Sequence, residues 1–168
     1  MKTMQSSIFF LLLLGVSLGL AAPPELSEVK LVQGTCPMSW FNFNGRCYKY
    51  VSTRTTWADA EIHCVSQSAN LVSIHNLEEH NFVKSLIQNF DHTLGRTWIG
   101  LSDIYKEKRW IWTDGCPVVY TKWNAGEPNS KGGNEDCVEI CNGNEKNWND
   151  EGCSRNSPSV CASRKPDC

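Results

Sequence analysis

Nine cysteines, at positions 36, 47, 64, 116, 137, 141, 153, 161 and 168, constrain this 168-residue chain more than any other feature. Such a density reads either as a disulfide framework or as metal ligation, and the compartment decides between them. The first residues, MKTMQSSIFFLLLLGVSLGLAAPPE, carry one Lys, an apolar run over about positions 8–20, and small residues ahead of Pro23. That layout predicts a secretory signal peptide over residues 1–21, cleaved after Ala21, with Ala22 as the neighbouring choice. The apolar run is short for a bilayer span, which argues against a retained anchor. Export into oxidising surroundings favours disulfides over the zinc reading invited by the spacing of Cys137 and Cys141. An odd count leaves at least one thiol free or bonded to another chain.

Removing residues 1–21 takes away one Lys and no acid, so the formal charge of −2 becomes −3. A mildly acidic chain with no basic stripe is not expected to bind nucleic acid. No later stretch is apolar enough to cross a membrane, so a secreted, extracellular protein is expected. About 147 residues remain, enough for one domain with a sizeable core. Residues 22–35 form a short polar lead-in, 36–164 the domain, and 165–168 a tail.

In CPMSWFNFNGRCYKY, aromatics surround Asn44-Gly45, a dipeptide that favours a tight hairpin which Cys36 and Cys47 could clip. TTWADAEIHC spaces Trp57, Ala60, Glu61 and Cys64 at helical intervals behind a Thr56 cap, with Asp59 three residues on. A second helix is predicted from NLEEHNFVKSLIQNF, capped by Asn76 and Glu79, with Phe82, Val83, Leu86, Ile87 and Phe90 as its buried stripe. Beyond it, RTWIGLS, RWIWTDG and CVEIC are short aromatic or β-branched runs between long polar segments. These are strands carrying loops, so the class is α+β. Residues 114–148 have little regular pattern, and a long irregular segment in a compact domain is usually functional.

Residues 124–137 within it read NAGEPNSKGGNEDC, without one large apolar side chain. Glu127, Asn129 and Glu135 there, with Asn149 and Asp150 shortly after, supply three carboxylates and two amides. A hard cation takes about six to eight such oxygens, so Ca²⁺ is the cofactor this chemistry suits. Taken singly, Glu-Pro-Asn reads as a polar turn and Trp-Asn-Asp as a cap or Asx turn.

An ordered set now stands in the sequence: the Trp57-Ala-x-Ala-x-x-x-Cys64 helix, Trp98-Ile99-Gly100-Leu101, Trp110-x-Trp112, Glu127-Pro128-Asn129, Cys137, Trp148-Asn149-Asp150, Cys153 and Cys161. Together these residues resemble the C-type lectin domain, over nearly the whole mature chain. The arrangement of leader, lead-in and single domain is similar to small secreted lectins of fish and of snake venom. The resemblance implies two helices with small antiparallel sheets, a long calcium-binding loop, and bridges Cys36–Cys47, Cys64–Cys161 and Cys137–Cys153. It also implies that Glu127, Asn129, Glu135, Asn149 and Asp150 hold both calcium and sugar, with a cis bond before Pro128. In the family Glu-Pro-Asn goes with mannose-type hydroxyls and Gln-Pro-Asp with galactose. Asp103, Glu107, Glu135 and Asp136 match an auxiliary calcium site, although Ser130 stands where a further Asp is usual. Cys116, Cys141 and Cys168 have no family partner. A Cys116–Cys141 clip beneath the long loop is expected, which leaves Cys168 as the odd thiol and the candidate link in a disulfide-bonded homodimer.

The function expected is a calcium-dependent, mannose-type lectin that binds glycans on microbial or cell surfaces, in innate defence or agglutination. Ice binding on the same scaffold is the first alternative, and a venom-type lectin directed at a protein target the second. An enzyme is not expected. None of His63, His75, His80 and His92 lies in the polar loop, no nucleophile motif is present, and surface or helix-face roles suit each histidine.

Overall fold

A computed structural model describes residues 30–165 and residue 168. The expected signal peptide, residues 1–21, and most of the expected lead-in lie outside the described residues.

The chain enters through a hairpin, β1 (Phe41–Phe43) and β2 (Arg46–Thr55), turned by Asn44 and Gly45. Both turn residues have positive φ, 48° and 78°, which is the two-residue turn whose twist matches paired strands. Helix α1 (Trp57–Ser66) starts where the Thr56 hydroxyl accepts from the Asp59 amide, and it buries Trp57, Ala60 and Cys64. Trp57 Nε1 donates to the Ile99 carbonyl at 2.8 Å, fixing the helix to the sheet. After a short strand β3 (Asn70–Leu71), helix α2 (Leu77–Phe90) is capped by Asn76, whose Oδ1 accepts from the Glu79 amide at 2.8 Å. The Glu79 carboxylate returns to the His75 amide at 2.7 Å. Phe82, Val83, Leu86 and Ile87 are buried, whereas Phe90 is 52% exposed. Phe90 is the last residue of α2 and packs on the rings of Tyr50 and Phe41 at the edge of the core.

The remaining strands are β4 (Thr97–Ser102), β5 (Ile111–Trp112), β6 (Cys137–Asn142), β7 (Asn147–Glu151) and β8 (Ser157–Ala162). All eight join one sheet in the order β1-β2-β8-β4-β6-β7, with β3 on β8 and β5 on β4. Every pairing is antiparallel except β4 with β8, where Trp98 faces Ser159. This is the α+β arrangement expected, with its strands linked into one mixed sheet. Gly100 sits in β4 because a Cβ there would meet the Leu71 carbonyl at 2.5 Å and Thr113 Oγ1 at 2.8 Å.

Four disulfides are formed, Cys36–Cys47, Cys64–Cys161, Cys116–Cys168 and Cys137–Cys153, and Cys141 is free and buried. The expected Cys116–Cys141 clip is therefore not made, and Cys168 is neither free nor available to link a homodimer. The sheet gives the reason. Strand β4 pairs with β5 and with β6, so it separates the segment leading to Cys116 from the one carrying Cys141. Cys168 brings its Cα to 5.2 Å from that of Cys116, inside the reach of about 7 Å that a bridge needs. Cys141 instead packs in the main core, and burial pushes its thiol up to about 12.

Candidate functional site

Strand β7 supplies one wall of the site and the polar loop the other. The root of the loop is tied to Trp148: its N–H donates to the Lys122 carbonyl at 2.8 Å, and its carbonyl accepts from the Asn124 amide at 2.9 Å. The Trp148 ring is buried against Trp112, Tyr120 and Trp123, with ring centroids 5.8–5.9 Å apart. A polar loop is thus carried on an aromatic foundation contributed by residues on either side of it.

Asp150 holds the loop's middle. Its two carboxylate oxygens accept from the backbone amides of Asn129, at 3.1 Å, and Ser130, at 2.7 Å. The Glu127–Pro128 peptide bond is cis. Glu127, Asn129, Glu135 and Asp150 lie close enough to act on one another: burial raises the Glu127 carboxyl above its usual range, Asp150 adds to this, and Asn129 opposes it. Glu127 Oε2 is buried with no hydrogen-bond partner among the described residues. Glu135 accepts from the Lys131 amide at 2.7 Å, closing a short 3₁₀ turn at Lys131–Gly133. Asn149, 8% exposed, donates from Nδ2 to the Asp150 carbonyl at 2.5 Å. A pocket of about 180 Å³ adjoins these groups, lined by Glu107, Lys108, Trp110, Pro128, Asn129, Ser130 and Asp150.

Of the auxiliary set, Asp103 is buried and serves its own turn: its N–H donates to the Asp136 carbonyl at 3.1 Å, and its Oδ2 accepts from the Lys108 amide at 2.6 Å. Its Oδ1 has no partner among the described residues, and burial, then the charges of Glu107 and Asp136, raise the carboxyl. The Ser130 hydroxyl reaches Glu107 Oε2 at 3.4 Å.

These donors fit a hard cation. Buried carboxylate oxygens left without partners are costly, and a divalent ion with oxygen preference relieves that cost at Glu127 and at Asp103. The carboxylates are spread around the loop rather than closed on a point. Among the described residues the one trio of His, Cys or carboxylate ligand atoms within 4.8 Å of one another is His75, Cys116 and Cys168, and its sulfurs are joined to each other.

Two residues lie beneath the site that the sequence does not assign to it. His80, for which a surface or helix-face role is expected, is instead buried on the core side of α2 and accepts from Trp148 Nε1 at 3.2 Å through Nδ1, so it anchors the tryptophan of the Trp-Asn-Asp strand. Burial lowers its pKa to about 4. The unfolded chain binds the proton near pH 6.5 and the native state does not, so this histidine costs stability as pH falls from about 6.5 towards 4. At pH 5, in EDTA, the penalty is on the order of 2 kcal/mol. The stability difference between pH 7 and pH 5, measured by urea unfolding, should shrink by that amount in His80→Gln. The second residue is Glu139, a fully buried acid inside the apolar run CVEIC, and an acid set among strand apolars is the signal that could have marked it.

A family profile described as the lectin C-type domain matches residues 53–163. The lactose-binding lectin l-2 of Anguilla japonica is 41% identical over 138 residues, covering 80% of this chain and 81% of that protein. The type-2 ice-structuring protein of Osmerus mordax is 41% identical over 129 residues, covering 76% and 70%. Among solved structures, the C-type lectin CEL-I of Cucumaria echinata superposes with a TM-score of 0.74 at 34% identity, over 78% of this chain and 99% of that one. The ordered motifs, the disulfide-stapled fold and these likenesses agree, and the chain belongs to the C-type lectin domain family.

Proposed function

We propose that this is a secreted lectin that binds mannose-type glycans through a calcium ion held by Glu127, Asn129, Glu135, Asn149 and Asp150. The observation that carries the reading is Glu127 Oε2, a carboxylate oxygen buried without a partner between the loop and Asp150. When bound, the ion supplies open coordination positions to two neighbouring sugar hydroxyls. Glu127 accepts from those hydroxyls and Asn129 donates to them, so the order of acceptor and donor along the loop reads hydroxyl orientation. Glu-Pro-Asn gives the order that the resemblance associates with mannose. Asp103, Glu107, Glu135 and Asp136 are proposed to take an auxiliary ion. Galactose-type sugars are the competing specificity, brought by the relative named for lactose.

Ice binding is the second reading, favoured by the likeness to a protein named as ice-structuring. It predicts thermal hysteresis that survives excess mannose.

Calcium dependence is tested by melting. At a dissociation constant of about 10⁻⁴–10⁻³ M, 10 mM calcium stabilises by roughly 1.4–2.7 kcal/mol, which is several degrees in Tm. Residues 124–150 should also become resistant to proteolysis. Retention on immobilised mannose with calcium, and release by EDTA, is the expected result. Identical melting curves with excess calcium and with EDTA overturn the reading.

A further inference from the structure

We propose that Glu139 is a positioning residue of the site: it holds the Asn149 side-chain amide in the one orientation that offers its oxygen outward. The inference rests on the calcium reading above. In the β6–β7 ladder Glu139 and Asn149 are directly paired, so their side chains share a face of the sheet. Glu139 Oε1 accepts from Asn149 Nδ2 at 3.3 Å, and the same Nδ2 donates to the Asp150 carbonyl at 2.5 Å. Both protons of the amide are thereby committed. The remaining atom, Oδ1, is an acceptor with no protein donor among the described residues, and it is the atom a cation would take.

Nothing about an asparagine alone fixes which end of its amide faces a site. Here a buried acid does so, because a flipped Asn149 would set its carbonyl oxygen against the carboxylate of Glu139. Glu139 is itself held: Asn142 Nδ2 donates to Oε1 at 2.9 Å, and Arg96 Nη1 lies 3.4 Å from the same oxygen. Arg96 also pairs with Glu151 at 3.3 Å, which pairs in turn with Arg155. Asn149, Asn142 and Arg96 converge on Oε1, whereas Oε2 is buried with no partner among the described residues. One oxygen therefore does the positioning. A glutamine can reproduce that oxygen, and an apolar side chain cannot.

The test is calcium titration by calorimetry, with melting in EDTA beside it. Outer partners that orient a metal ligand typically change affinity by about 10–100-fold. Glu139→Met is expected to weaken calcium binding by at least about 10-fold, and Glu139→Gln to restore most of it. In an Asn149→Asp background there is no amide to orient. There Glu139→Met should leave calcium affinity nearly unchanged. A merely structural role lowers affinity in both backgrounds and lowers Tm in EDTA alike, and that result overturns the proposal. Should Glu139→Met fail to fold, the wild type still decides it. The Asn149 side-chain NH₂ protons, followed by NMR, should exchange slowly with solvent in EDTA and keep their positions when calcium is added. A fast-exchanging amide, or one that reorients on adding calcium, overturns the proposal. If the wild type binds no calcium, the functional reading falls and takes this one with it; if it binds and Glu139→Met binds equally, this one alone falls.

Discussion

Exchanging Glu127 for Gln and Asn129 for Asp in one protein is expected to turn sugar preference from mannose towards galactose, changing the ratio of affinities by roughly 10–100-fold. The pair flanks Pro128, and Asp150 holds the Asn129 and Ser130 amides, so the backbone that presents both side chains is not asked to move. The exchange keeps one carboxylate and one amide, hence the charge and the number of ligating oxygens. Only their order reverses. A hydroxyl that donated to Glu127 then meets a group able to donate back, and one that accepted from Asn129 meets a carboxylate. Each mismatch leaves a desolvated polar group without its partner, at about 1–3 kcal/mol. The gain for galactose should be smaller than the loss for mannose, because residues 130–136 carry no aromatic ring to stack on a sugar's apolar face. Competition binding at saturating calcium measures both arms. Undiminished mannose binding would place the sugar away from this loop.

Removing the Cys64–Cys161 bridge, by serine at both positions, is expected to cost roughly 4–5 kcal/mol of stability. The bridge closes 97 residues and ties α1 to β8, and both cysteines are fully buried. The loss is comparable to the lower end of what a whole domain of this size possesses, about 5–15 kcal/mol. The doubly substituted chain should therefore be partly unfolded at 37 °C, with its urea midpoint far below that of the parent. A loss under about 1 kcal/mol would mean that the unfolded chain is already compact without the bridge.

Much of the scaffold is legible in the sequence because it is written locally. Thr56 and Asn76 cap the two helices as their spacing to Asp59 and Glu79 demands, and Asn44-Gly45 makes the hairpin turn. What escapes notice is written over distance. Strand β7 reads NWNDE and strand β8 SPSVCA, and neither alternates as a half-buried strand would. Both are nonetheless largely buried, since the long loop covers the first and β8 is enclosed between β2 and β4. Polar residues enter such strands when their partners are also side chains, as Asn149 shows with Glu139. No local pattern announces that partnership. The pairing of Cys116 with Cys168 was hidden in the same way: 52 residues separate them, and the strand that keeps Cys141 out of reach lies between. The oxygen-bearing side chains of the loop are open to reading from the sequence, whereas the aromatic floor under it, and the histidine that secures Trp148, require the fold.

Cys141 gives the molecule a built-in indicator of its own opening. With eight cysteines bridged and this one sealed in the core, its raised pKa and burial keep the thiol unreactive while the sheet is closed. Alkylating reagents can meet it only during excursions in which β6 parts from its neighbours. The rate of that chemistry is then a clock set by breathing of the strand that pairs with β7, beside the polar loop. A ligand that steadies β7 slows the clock without touching the thiol.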